Sequence, residues 1–167
     1  FGFIFIYAAS ALKSFELYQN SYFFIKKQLL GFILCLFAIF AIKKVPFKYL
    51  EKSTLPLVIL TLISLGLIFV PNVYIKAGGA SRWLPLPFFT FQPAELAKLT
   101  LIFFLAKNLS RNKIKLLSFS SGILPNLILL GLFSVCLMKQ PDFGSTVVLA
   151  ALCLCMLFVS GAPKRFI

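Results

Sequence analysis

No histidine occurs among the 167 residues, and only four residues are acidic. Metal motifs built on imidazole are thereby excluded. The four cysteines, Cys35, Cys136, Cys153 and Cys155, all lie inside apolar runs, at spacings that suit neither a zinc site nor a redox pair. They read as small buried hydrophobic residues. A phosphate-binding Walker loop and a dinucleotide fingerprint are also absent. Charged residues make up 13% of the chain while 60% is apolar, a balance that excludes an ordinary soluble domain and points to a polytopic membrane protein.

The charge that is present is one-sided, with 17 Lys and Arg giving a formal +13. A nucleic-acid partner does not follow, because the basic residues fall mostly between apolar runs without an interleaved aromatic and basic face. Membrane topology accounts for them better. Measured against the roughly 20 residues that a spanning helix needs, the apolar runs are Phe1 to Leu12, Tyr22 to Ile42, Thr54 to Val70, Phe88 to Ala106, Ile123 to Met138 and Phe143 to Ser160. Some are short, so tilt or local thinning has to absorb the mismatch. Phe1 already stands inside an apolar run with no initiator Met or basic leader, and "SGAPKRFI" stops just after a basic turn. The expectation is an all-α polytopic membrane protein, a single transmembrane domain over residues 1–167, truncated at both ends.

Lys43, Lys44, Lys48, Lys52, Lys107, Arg111, Lys113, Lys115, Lys164 and Arg165 fall on one side of these segments. Lys13, Lys26, Lys27, Lys76, Arg82 and Lys139 fall on the other, and Lys98 lies within a segment. The richer side is placed in the cytoplasm. Segments 4 and 6 then both enter from the outside.

Each of those two segments opens on Gln-Pro followed closely by an acid, "FQPAELAK" and "KQPDFGST". Pro93 suits a first helical position, and Glu95 and Asp142 suit the positive ends of helix dipoles. For Asp142, after Pro141, capping and a functional role both stand. Gln92, Glu95 and Lys98 share one helix face, and with the helix counted from Phe89, Lys98 lies about 13 Å in. An unpaired charge at such depth costs about 2.5 to 3.5 kcal/mol, which favours a Glu95–Lys98 pair facing a bundle interior or a wet cavity. Fixing helix packing is the plainer role for that pair. In the preceding loop Gly78 and Gly79 permit a tight turn, Arg82 and Trp83 stand together, and the prolines of "LPLPFF" keep the chain extended. Trp83 also suits an interfacial belt. Arg82, Lys98 and Lys139 would supply three outer-side cations for an anionic lipid-linked group such as a pyrophosphate. "SALK" and "SRNK" match the Ser-x-x-Lys form of penicillin-binding enzymes, but the partner motifs Ser-Asp-Asn and Lys-Thr-Gly are absent.

"GGASRWLPLPFFTFQPAELAKL" together with "QPDFGSTVVL" resembles the SEDS family of bacterial cell-wall proteins (shape, elongation, division and sporulation), and the order and hydropathy fit along the whole chain. The resemblance implies a ten-helix protein of the bacterial cytoplasmic (inner) membrane. It also implies polymerisation of lipid II into peptidoglycan glycan strands, in complex with a class B penicillin-binding protein. "GASRW" with "QPAE" looks slightly more like the division branch than the elongation branch. Arg82, Glu95 and Lys98 match charged positions of the family's outward-facing cavity. Gln140, Pro141, Asp142 and Gly144 match its second signature. Departures are Ala94 where Ser is frequent, Pro87 where Gly is common, and Phe143-Gly144-Ser145 where Leu-Gly-Thr is usual. The catalytic aspartate that the family places in a large outer loop lies beyond Ile167, so no catalytic residue is expected within the chain and the chain alone is expected to be inactive. The cofactor is left open, with a divalent metal ion one candidate for which the sequence holds no complete site. The rival function is a transporter or flippase of a lipid-linked cell-wall precursor, whose path the Glu95–Lys98 pair would line. A scaffold that only recruits a synthase is the third.

Overall fold

The computed structural model describes residues 1–71, 74–77, 80–85, 89–111 and 118–163. All six apolar runs form helices: α1 Gly2–Tyr18, α2 Phe23–Lys43, α3 Phe47–Leu67, α4 Pro93–Arg111, α5 Leu124–Lys139 and α6 Phe143–Val159. A π-helical turn, Phe119–Ile123, leads into α5. Phe23–Lys43, Phe47–Leu67 and Phe119–Lys139 are long and apolar enough to cross a membrane, and Gly2–Leu12 and Phe143–Val159 are apolar but shorter. The chain is an α-helical membrane protein.

Helix α1 runs on to Tyr18 rather than Leu12 and α4 to Arg111 rather than Ala106, and two helix starts differ from the hydropathy reading for physical reasons. Helix α3 begins at Phe47 rather than Thr54, because the charged stretch with Lys48, Glu51 and Lys52 is itself helical and continues into the apolar run. Helix α4 begins at Pro93 rather than Phe88, and Thr90–Phe91 form a strand instead. That strand, β3, belongs to a three-stranded antiparallel sheet with β1 Ile75–Ala77 and β2 Ala80–Pro85. Ala77 pairs with Ala80, and Leu84 and Pro85 pair with Phe91 and Thr90. The sheet is a small addition to a helical architecture. Gly78 and Gly79, on which the tight turn was expected, lie outside the described residues.

The chain divides into two compact units, Phe1–Phe47 and Lys48–Ile167. In the first, Phe3 of α1 meets Phe32 of α2 edge to face at 5.6 Å, and Tyr7 stacks on Tyr22 at 5.5 Å. No residue of α2 is buried. In the second, α4 is central. Its Ala94, Ala97, Leu101, Leu105 and Leu109, three or four residues apart, are buried with Leu65 of α3, Leu129, Phe133 and Leu137 of α5, and Leu149, Cys153 and Leu157 of α6. The alanines at the head of α4 let neighbouring backbones approach closely.

Polar contacts within that core select its partners. Thr61 of α3 and Thr100 of α4, both buried, share a hydrogen bond of 2.7 Å. Asn108 of α4 donates to Asn126 of α5 at 3.1 Å, and Asn126 donates back to the Gly122 carbonyl of the π-helical turn at 2.8 Å. Helix α6 stops at Gly161, whose φ of +80° favours glycine, with Ala162 N–H bonded to the Leu157 carbonyl. The reading of all four cysteines as buried needs correction. Cys153 is buried and Cys136 half-buried, but Cys35 and Cys155 are exposed.

Candidate functional site

The turn between α5 and α6, Gln140-Pro141-Asp142, makes contacts in three directions. Asp142 is the N-cap of α6: one carboxylate oxygen accepts from the Ser145 backbone N–H at 3.4 Å and the other from the Ser145 hydroxyl at 2.7 Å. The capping role expected for it is therefore present. Gln140, buried at the other end of the turn, donates from Nε2 to the Leu65 carbonyl of α3 at 3.2 Å. Leu65 is among the last four residues of α3, whose carbonyls have no partner within the helix. A side chain 75 residues away thus completes that helix end.

The third contact comes from the sheet. Arg82 of β2 donates from its guanidinium to the Pro141 carbonyl, and its Nη1 lies 3.9 Å from Asp142 Oδ1. Asp142 is 7% exposed and Arg82 35%. The Arg82 Nε is buried without a hydrogen-bond partner among the described residues. Strand β2 also pairs with β3, which ends one residue before Gln92 and Pro93. Both Gln-Pro turns therefore stand at one end of the second unit, connected through the sheet. Trp83, next to Arg82, is half-buried and pairs in register with Ile75.

At the first Gln-Pro turn, Pro93 is buried and occupies the first position of α4, where its missing N–H costs nothing. Gln92 is half-buried, and its carbonyl accepts from the Glu95 N–H at 3.1 Å. Lys98 donates to Glu95 at 2.7 Å, so the expected pair forms. Its depth differs from expectation. Counted from Pro93, Lys98 lies about 7.5 Å along the helix rather than 13 Å. Glu95 is 62% exposed and Lys98 25%, so the pair flanks the packed face of α4.

The three cations expected to act together have separate surroundings. Arg82 faces Asp142 and Pro141, Lys98 faces Glu95, and Lys139 is exposed in the last turn of α5, where a positive charge complements the helix dipole. Among the described residues, no hydrogen bond or ion pair joins them to a common partner. Gly144 is exposed, and a Cβ added to it would meet open space, so packing imposes no glycine there. For a divalent ion, the described residues contain no group of three acidic or cysteine side chains that could hold one.

The Arg82–Asp142 contact and the Gln140–Leu65 bond were not anticipated. Both join residues far apart in the chain, and local spacing carries no sign of them. The one available signal was scarcity: with four acids in the chain, a buried aspartate beside a proline needs a cation or a cap, and Asp142 has both.

The comparisons with known proteins agree with this fold. FtsW of Geobacter sp. (strain M18), described as a probable peptidoglycan glycosyltransferase, is 35% identical over 167 residues, covering all of this chain and 46% of that protein. Stage V sporulation protein E of Bacillus subtilis (strain 168) is 34% identical over 161 residues, 96% of this chain and 44% of that one. The chain thus spans about half the length of the curated relatives it matches. Among solved structures, the rod shape determining protein RodA of Thermus thermophilus superposes with a TM-score of 0.76 at 27% identity, over 98% of this chain and 54% of its own. A chain of a peptidoglycan synthase complex that coordinates polymerization and crosslinking gives 0.74 at 29% identity, over 98% of this chain and 48% of its own. Residues 1–167 match the family model described as cell cycle protein, and the chain accordingly belongs to the FtsW, RodA and SpoVE family.

Proposed function

We propose that this chain forms the membrane-embedded, substrate-facing part of a peptidoglycan glycosyltransferase of the bacterial cytoplasmic membrane, which polymerises lipid II into glycan strands beside a class B penicillin-binding protein. The observation that carries the reading is the placement of both Gln-Pro turns, with the Glu95–Lys98 pair and the Arg82–Asp142 contact, at one end of the second unit. That end is assigned to the outer membrane face by the basic bias of the other connections.

In this reading a new glycosidic C–O bond forms at the donor sugar as its bond to the undecaprenyl pyrophosphate breaks. The acceptor hydroxyl loses its proton to a carboxylate acting as general base, proposed to lie outside these 167 residues. Lys98 is the cation proposed to meet charge developing on the pyrophosphate, with Glu95 orienting it, a contribution that grows in a water-poor site. Lys139 is a second, exposed candidate. Arg82 already has protein partners, so its first role is to hold the Asp142 turn, and phosphate contact falls to the donors left over.

The test is the purified complete protein with its penicillin-binding partner and lipid II. Glycan polymer is expected, and none is expected from the 167-residue chain alone. Translocation of lipid II without polymer would favour the flippase reading. Wild-type polymerisation by stably produced Glu95→Gln and Lys98→Met variants would favour a scaffold. Membrane orientation is checked in a cysteine-free background, where an outside thiol reagent should label Ser81→Cys and miss Asn112→Cys.

A further inference from the structure

We infer that Arg82 is a positioning residue, a latch that docks the β1–β3 sheet onto the α5–α6 turn through Asp142 and the Pro141 carbonyl. Three observations carry this. Asp142 is nearly buried, and both of its oxygens already serve the α6 cap, so the carboxylate is fixed in place before Arg82 meets it. Arg82 engages two successive residues of one turn, which a chance surface contact seldom does. Gln140, next in the chain, anchors the same turn to the end of α3, so the surface that Arg82 docks on is rigid. The fork of donors on a guanidinium suits a carbonyl and a carboxylate side by side, and the single ammonium of lysine does not.

The geometry has a consequence for the two Gln-Pro turns. The sheet leads into Pro93 through β3, so a docked sheet sets the start of α4 and with it Glu95 and Lys98. An undocked sheet would leave the two turns aligned only by the core packing of α4 against α5 and α6. The inference extends the proposed function by naming what aligns its two signatures, but the docking itself holds whatever the complete protein does.

Trp83 reports on it directly. It is the one tryptophan of the chain, half-buried and adjacent to Arg82. The experiment measures its emission and acrylamide quenching in the 167-residue chain in bilayer nanodiscs. Asp142→Asn removes the charge but keeps a good N-cap, so α6 stays formed and circular dichroism is unchanged. The undocked fraction is expected to rise about two- to fivefold, the range of a partly exposed ion pair, with emission shifting to the red. Arg82→Lys should give part of that shift and Arg82→Met all of it. The double variant Arg82→Met with Asp142→Asn should add little to either single change. Salt should move the wild-type signal and leave that of Asp142→Asn in place, which a purely packing role would not produce.

In the complete protein, the same variants are expected to lower kcat for lipid II polymerisation with KM little changed. Additive effects in the double variant, or Trp83 emission indifferent to Asp142→Asn, would overturn the latch. If the fluorescence behaves as stated and polymerisation is absent even in wild type, the glycosyltransferase reading fails and the latch stands.

Discussion

Phe37 in α2 and Phe133 in α5 are the same residue in segments of equal mean hydropathy, 2.0, yet the first is 74% exposed and the second fully buried. Apolar character alone therefore does not decide packing. Lipid is as apolar as a phenylalanine, so burial against protein needs something lipid cannot offer. Helix α5 has it in Asn126, bonded to Asn108 and Gly122, and in the Gln140 that ends it. Along its apolar run after Gln28, α2 carries no such group. The second unit is a bundle because a few polar residues name its neighbours, whereas the first presents its apolar side chains outward.

The largest expected effect tests this contrast head on. Phe133→Ala leaves a cavity in a packed core and should cost about 3 kcal/mol. Phe37→Ala, on an exposed face, should stay within about 0.5 kcal/mol. Reversible unfolding of the chain in mixed micelles measures both. Equal losses would break the comparison.

Next comes Gln140→Ala, which strands the Leu65 carbonyl in a buried place and should cost about 1 to 3 kcal/mol by the same measurement. Gln140→Glu cannot donate when ionised and should do no better at pH well above the carboxyl's titration. A neutral result would mean that the end of α3 finds another donor, and that the turn is held by Arg82 alone.

These residues also mark what the sequence could disclose. Helix existence was legible, because an apolar run of sufficient length satisfies its own backbone whatever surrounds it. The Asp142 cap and the Glu95–Lys98 pair were legible too, since each depends on residues three apart. Pro93 at the head of α4 was read correctly, while Phe88 as the start was not, because apolar residues before a proline suit a strand as well as a helix. Contacts between distant residues were not legible. Arg82 with Pro141 spans 59 residues and Gln140 with Leu65 spans 75, and no periodicity announces either.

Thr61 and Thr100 sharpen the comparison at smaller scale. Each hydroxyl is buried, and together they form a side-chain hydrogen bond between α3 and α4, beside the exposed bond from Lys107 of α4 to the Glu51 carbonyl of α3. Thr61→Val and Thr100→Val should show a coupling of about 0.6 kcal/mol in a double-mutant cycle, the usual worth of such a bond within a membrane. Thr61 keeps its bond to the Leu57 carbonyl when Thr100 is changed, which holds the value low. A coupling near zero would leave α3 and α4 joined by packing and by the exposed Lys107–Glu51 bond.

The smallest effect on stability, and the most informative about function, is expected at Glu95 and Lys98. A helical pair three residues apart with one partner 62% exposed adds only about 0.2 to 0.5 kcal/mol to the fold. Glu95→Gln and Lys98→Met should therefore leave unfolding of the 167-residue chain almost unmoved. In the complete protein the same changes should act on polymerisation far more strongly, and the double change should hurt less than the two singles combined, because each single change leaves one charge without its partner. Separation of the two readouts is the point of the experiment. If unfolding and activity fall together, the pair is a packing contact like those of the core, and the contrast between a packed face and a flank of α4 proposed to face substrate is wrong. If unfolding holds while activity falls, the flank has a role that packing does not explain.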